Sequence, residues 1–261
     1  DGDGTSTSAL SVAGYIATGS TGNVESWNGS AWTEVADVNT ARYYLGCGGA
    51  DNTSLLAFGG TSPVTAATEE WNGSSWTEVN DLSTARSQMA GNGTASAALA
   101  SGGSTPSTTG ATEEWTASVP VGAWTTSTAM NTARYNIGNV GVYNAALGFG
   151  GRAPSIANNE TWNGSTWTEV GDLNTARHSF LGGSGTTTSA LAMGGENGGY
   201  TNKVEEWNGS AWTETTDLNT TRGEGGGAGA SAEAALAYSG TSNSFSSMKT
   251  ETESWNGSSW T

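Results

Sequence analysis

The chain has 261 residues, with eight Lys and Arg against twenty-four Asp and Glu, a formal charge of −16. That balance repels phosphate backbones and anionic lipid, making nucleic acid and membrane surfaces poor partners. The one cysteine, Cys47, excludes an internal disulfide, and no apolar run approaches the ~20 residues of a membrane span. At 34% apolar the composition would suggest disorder, but the tryptophans recur too strictly for that.

The chain opens on Asp1-Gly-Asp-Gly4, which has the start of a calcium loop but lacks its downstream glutamate. A frayed terminus with no metal site is expected there, and the absence of a methionine or signal peptide suggests processing or excision from something longer. A strand follows at Ser8–Val12, ending at Ala13-Gly14. Then comes Glu25-Ser-Trp-Asn-Gly-Ser-Ala-Trp-Thr33, versions of which return five more times and contain all twelve tryptophans. Their first members are Trp27, Trp71, Trp115, Trp162, Trp207 and Trp255, at a period of 43 to 48 residues that signals a repeat architecture.

The second repeat shows the unit in full. Arg42 leads a Gly-rich strand (A), Ser54–Gly60 forms a second (B) closing on a double glycine, and Thr68–Trp71 a third (C). The turn Asn72-Gly-Ser-Ser75 reverses the chain into Trp76–Val79 (D). Asn-Gly between such runs is a strong hairpin signal because both residues accept the positive φ of a tight reversal. Five repeats have an arginine ten residues after the second tryptophan of the preceding one: Arg42, Arg86, Arg134, Arg177 and Arg222.

An arginine-led strand, a double glycine, an aromatic after an acidic residue and a spaced second tryptophan resemble the kelch repeat, most clearly at Thr128-Ala-Met-Asn-Thr-Ala-Arg134 and Leu191-Ala-Met-Gly-Gly195. The resemblance spans essentially the whole chain. It implies an all-β, six-bladed β-propeller of four-stranded antiparallel blades, A at the axis and D at the rim, with no helix longer than a turn or two. The blades fall at about 1–36, 37–80, 81–128, 129–171, 172–216 and 217–261 of a single domain. Departures are the short C to D turn and the degenerate Ala13-Gly14 and Ser239-Gly240. With no arginine-led segment before Ser8, the first blade is expected to lack its innermost strand, leaving an edge that the continuing polypeptide or a strand-donating chain or domain would complete.

In this topology the B to C loops and the D to A connections share one face. The connections are uniform, whereas the B to C loops vary, so a ligand is expected on their face. The residues that break the small polar loop pattern are Arg152, Tyr200, Lys203, Phe245, Met248 and Lys249. The alternative is a structural spacer whose loops recognise nothing. Near-identical tandem blades rich in Thr, Ser, Gly and Asn also resemble repeat proteins of bacteriophage and bacterial surfaces. That implies an extracellular or virion-surface setting with a protein or glycan ligand.

Catalysis has little support, and no cofactor is expected. His178 is the sole imidazole and fills the position that Tyr43, Ser87, Tyr135 and Gly223 occupy elsewhere. Copper-radical oxidases share the kelch architecture but need more than one histidine ligand. Six-bladed sialidases need arginines converging on the axis, whereas five of the six here are tied one to each blade. A glycan-processing enzyme with a carboxylate pair is a distant third reading. The Asn-Gly-Ser sequons, such as Asn72-Gly-Ser74, are explained as turns without any glycan. Glutamates stand two residues before each first tryptophan, at Glu25, Glu69, Glu113, Glu160, Glu205 and Glu253. Positions i and i+2 on a strand share a face, so these carboxylates enter the blade interface and need the repeated arginines as partners. One glutamate of the six should lack an arginine.

Overall fold

The computed structural model describes residues 1–117, 122–243 and 247–261. Its unit is the tryptophan hairpin. Asn72 Oδ1 accepts hydrogen bonds from the Ser74 amide, the Ser74 hydroxyl and the Ser75 amide at 3.0, 2.9 and 3.0 Å. Gly73 supplies the φ of 92° that the reversal requires. Trp71 and Trp76 thereby fall directly opposite one another with ring centroids 5.4 Å apart. Equivalent turns close at Asn28, Asn163, Asn208 and Asn256.

Each hairpin is half of an antiparallel sheet. The first blade is β1 (Gly2–Thr5), β2 (Ser8–Ile16), β3 (Gly19–Trp27) and β4 (Trp32–Val35). The second is β5 (Gly46–Asp51), β6 (Ser54–Phe58), β7 (Thr68–Trp71) and β8 (Trp76–Val79). The third is β9 (Ala90–Thr94), β10 (Ala97–Ser101), β11 (Thr112–Thr116) and β12 (Ala123–Ser127), and the fourth β13 (Gly138–Val142), β14 (Ala145–Phe149), β15 (Asn159–Trp162) and β16 (Trp167–Val170). The fifth comprises β17 (Gly183–Thr186), β18 (Ser189–Met193), β19 (Val204–Trp207) and β20 (Trp212–Glu214). In the sixth, β21 (Gly226–Ser231), β22 (Ala234–Tyr238) and β23 (Thr252–Trp255) are joined by a Trp255–Trp260 bridge at the outer position. Sheet order follows chain order in every blade, and no described residue is helical. The architecture is a six-bladed β-propeller.

Two expectations are corrected. The first blade does have its innermost strand: Gly2 to Thr5 pair with Ser11 to Ser8, so the inner edge of β2 is occupied and needs no donor. Two glycines and short side chains let this segment fit at the crowded axis. The A strands also do not begin at their arginines. Tyr44, two residues past Arg42, takes a φ of 56° and turns the chain, so β5 starts only at Gly46.

The core lies between blades. Leu10, Val12 and Val24 of the first pack on Leu55, Ala57, Trp71 and Trp76 of the second, and each later pair repeats the pattern. First tryptophans bond within their blade, as Trp71 Nε1 does to Asn52 O at 3.0 Å. Second tryptophans other than Trp212 reach the preceding blade, as Trp124 Nε1 does to Thr68 Oγ1 and Trp167 Nε1 to Thr112 Oγ1, both 3.1 Å. Trp32 in the first blade donates to Thr252 Oγ1 in the sixth at 3.0 Å, and Tyr238 OH to Leu10 O at 3.3 Å, so the same contact that joins neighbours closes the ring.

Each repeated arginine is buried beside a glutamate of its own blade. The distances are 2.6 Å for Arg42–Glu69, 3.0 Å for Arg86–Glu113, 3.1 Å for both Arg134–Glu160 and Arg177–Glu205, and 2.8 Å for Arg222–Glu253. The same guanidiniums donate to strand carbonyls, as Arg86 does to Ala111 O at 2.7 Å and Ala100 O at 3.3 Å. The second carboxylate oxygen reaches the incoming connection, with Asn39 N 2.7 Å from Glu69 Oε2. The uniform ten-residue connection is thus held by the pair. Glu25, in the blade with no arginine, is exposed.

Candidate functional site

The turn that separates each arginine from its A strand builds the mouth of the axial channel. Tyr44, Gln88, Asn136, Ser179 and Glu224 all occupy the left-handed region, with φ between 52° and 59°. Each hands a hydrogen bond round the axis: Gln88 N to Tyr44 O (2.8 Å), Asn136 N to Gln88 O (2.9 Å), Ser179 N to Asn136 O (3.1 Å) and Glu224 N to Ser179 O (2.9 Å). Left-handed backbone on ordinary residues costs on the order of 1 kcal/mol apiece and survives where the surroundings over-determine it. The uniform backbone carries five different side chains, a phenol, two amides, a hydroxyl and a carboxyl.

The residue before each of these pairs with the first residue of the B to C loop, as Tyr43 does with Thr61 and His178 with Glu196, which ties the loops to the mouth. The double glycine becomes Ala13-Gly14 in the first blade and Ser239-Gly240 in the sixth. Elsewhere its first member has φ near 60°, and at Gly59 a Cβ would lie 2.6 Å from Arg86 O. Ala13 keeps the bend at φ 51°, but β2 and β3 continue past it as a hairpin, pairing Tyr15 with Ser20 and Ile16 with Gly19. That hairpin leans on the second blade through Ser20 and Ser62 hydroxyls 3.2 Å apart and the Tyr15 and Tyr43 rings at 5.2 Å.

Together these elements enclose a cavity of about 350 Å³, toward the small end of the ~300–1,000 Å³ found for ligand sites. Its lining combines aromatic and apolar side chains, among them Tyr15, Ile16, Tyr43 and Met248, with the polar Asn136, Ser179 and Glu224. A second cavity of about 430 Å³ continues down the channel between the Gly-rich A strands. The strands crowd there: a Cβ on Gly183 would lie 2.2 Å from Asn139 O.

Glu224 Oε1 lies 3.5 Å from Tyr44 OH and 3.4 Å from Ser179 Oγ, while its Oε2 is buried with no hydrogen-bond partner. Burial raises this carboxyl above its ordinary range, the hydroxyls of Tyr200, Ser179 and Tyr44 oppose the rise, and Glu196 adds to it. Burial, with Glu224 beside it, pushes the Tyr44 phenol up as well. Ser179 Oγ also meets His178 Nδ1 at 3.0 Å. Burial lowers the imidazole's pKa, Glu196 opposes and Arg152 reinforces it. Deeper in the channel, Asp3 accepts from Gly49 N at 2.9 Å, and burial lifts its carboxyl to about 7.

Of the residues that sequence reasoning singled out for a ligand, Met248 and Lys249 line the upper cavity. Tyr200 acts on Glu224. Arg152 is exposed, its backbone paired with Tyr135. The Lys203 ammonium is held by Asp217 at 3.2 Å and Glu214 at 3.9 Å, outside the cavity. Phe245 lies outside the described residues. The ring of Tyr44, Gln88, Asn136, Ser179 and Glu224 was missed. Its signal was available: counting two past each arginine finds a position that is polar in every blade and never the same residue.

A six-bladed propeller with a laterally asymmetric pocket at its axial mouth is therefore the class of protein that the fold and site define. No family model matches the chain, and no curated protein does. Among solved structures, that of YjhT superposes with a TM-score of 0.74 at 12% identity, covering 97% of this chain and 93% of that one. At that identity the likeness establishes the fold alone.

Proposed function

We propose that this chain is a non-enzymatic, kelch-type binding propeller, displayed on a virion or cell surface, that recognises a protein or glycan through the face bearing its B to C loops, with the axial pocket as the centre of the site. The observation that carries the reading is the ring of five left-handed residues, a backbone constant from blade to blade whose side chains differ at every step. Relaxed constraint on loops would scatter variation over their tips. Here it also falls on side chains bordering one cavity, on a backbone that does not vary, which is how a specificity surface is built on a rigid scaffold. Among the described residues, four of the six exposed large apolar side chains, Tyr15, Ile16, Val64 and Met248, also belong to this face. Surface display is supported by the composition of the tandem blades, and the absence of catalysis by the commitment of five arginines to buried ion pairs.

The test is a screen of immobilised glycans and of surface proteins with the isolated chain, followed by Tyr44→Ala, Tyr200→Ala and Met248→Ala. Binding should fall at least tenfold with an unchanged melting temperature. A ligand that is indifferent to these changes but lost on Val142→Ala or Tyr143→Ala would place recognition on the opposite face and overturn the reading.

A further inference from the structure

Resting on that reading, we propose that the axial pocket takes the basic side chain of a protein ligand, a lysine or arginine whose cation lies between the Glu224 carboxylate and the tyrosines of the mouth. Three independent features converge on this chemistry. The first is the carboxylate. Glu224 Oε2 is buried with no hydrogen-bond partner, and the carboxyl's other contacts are neutral hydroxyls, those of Tyr44 and Ser179 to Oε1 at 3.5 and 3.4 Å and that of Tyr200. A buried acceptor left unmade is costly, and a charge-assisted donor is the group that gains most by reaching it. Most of the protein's own cations are engaged elsewhere, and the exposed Arg152 does not line the cavity. Five arginines and Lys203 are in ion pairs with other acids. Two cations among the described residues line the cavity: Lys249 helps to hold Glu251 ionised, after that carboxyl's backbone hydrogen bonds, and the Asp1 ammonium donates to Val12 O at 3.3 Å.

The second feature is the aromatic wall. Tyr15 and Tyr43 meet edge to face at 5.2 Å, Tyr43 and Tyr44 are tilted at 4.9 Å, and the Tyr44 hydroxyl reaches Glu224. Ring faces beside a carboxylate attract a cation by their quadrupole as well as by charge. Ile16 and Met248, 47% and 37% exposed, border the same cavity and suit the methylene stem that carries such a cation. The third is the field. A chain of charge −16 concentrates cations at a low-dielectric cleft and repels anionic ligands from it. A neutral sugar could hydrogen-bond to the amides and hydroxyls of the ring and to the carboxylate, but it would draw nothing from the field.

The experiment uses the whole chain and four small probes: the Nα-acetyl methylamides of lysine, arginine and Nε-acetyl-lysine, and a methyl hexoside, titrated by amide-resolved NMR. Lysine or arginine amide should bind saturably, shifting the amides of Ser179 and Glu224, and Nε-acetyl-lysine should bind at least tenfold more weakly. Glu224→Gln should weaken the cationic probes by at least tenfold and remove most of their salt dependence. The comparison of lysine with its acetylated form needs no variant, so misfolding of the glutamine form leaves the inference testable. Equal binding of the acetylated and free lysine probes overturns the cation. Binding of the hexoside alone, sensitive to Tyr44→Ala, overturns the cation while leaving the axial pocket as the binding site. If no probe shifts the mouth amides and the screened ligand is indifferent to Tyr44→Ala, the underlying reading fails with it.

Discussion

Removing one buried guanidinium tests the framework of every blade, and Arg86 is the cleanest case. It is fully buried, and its partner Glu113 is 2% exposed. Arg86→Ala deletes the 3.0 Å contact to Glu113 Oε1 and the donors to Ala111 O, Ala100 O and Gly102 O. Glu113 keeps only the Ser83 amide and hydroxyl on Oε2. Losing one member of a buried pair costs about 3–5 kcal/mol because the other charge stays desolvated. We therefore expect a loss of ~4 kcal/mol, a fall of roughly 8–16 °C in melting temperature for a chain of this size. Urea titration followed by tryptophan fluorescence would report it, since Trp115 and Trp124 belong to the same blade. Pairing Arg86→Met with Glu113→Gln should recover most of the loss. A cost below about 1 kcal/mol for Arg86→Ala would refute the argument that the pair, and not packing alone, holds the D to A connection.

Three further outcomes are expected. Trp212 Nε1 and Asn159 Oδ1 are both buried without partners, at the blade contact where Trp124 and Trp167 donate to threonines; Asn159→Thr should raise stability by ~1 kcal/mol, and an unchanged or lower denaturation midpoint counts against it. With its carboxyl at about 7 against an ordinary 3.8, folded Asp3 holds a proton that the unfolded chain has lost, so its contribution is fully present below about pH 4 and declines as pH rises toward 7. Asp3→Asn should accordingly gain on the native protein at pH 8 but not at pH 4, by less than ~4 kcal/mol because one side of Asp3 faces the channel; equal differences at both pH values refute it. Gly183→Ala places a Cβ 2.2 Å from Asn139 O and should cost about 1–3 kcal/mol, whereas Gly199→Ala, with nothing within 4 Å, should be neutral in the same thermal melts.

What the sequence determined by itself is whatever depends on local spacing. A tryptophan pair five residues apart around Asn-Gly makes a hairpin, since the Asn72 side chain and the positive φ of Gly73 close the turn without help from the rest of the chain. Five such pairs, with Trp115 and Trp124 nine residues apart as the sixth, make six blades. A glutamate and tryptophan at i and i+2 enter one interface, and the arginines fourteen or more residues before the B strand's end find the carboxylates because every blade repeats the geometry. Tertiary structure decided what repetition cannot express. Asp1-Gly-Asp-Gly4 carries no strand propensity, yet Gly2–Thr5 is a strand because the open edge of β2 and the crowded axis select short residues. Tyr44, Gln88, Asn136, Ser179 and Glu224 share no local signal for a left-handed backbone, and the last four take it where their amides reach the carbonyl of the preceding blade. The pocket exists only once the ring closes through Trp32 and Thr252, 220 residues apart. That closure sets Glu224 of the last blade beside Tyr44 of the second, a pairing that no window along the chain contains.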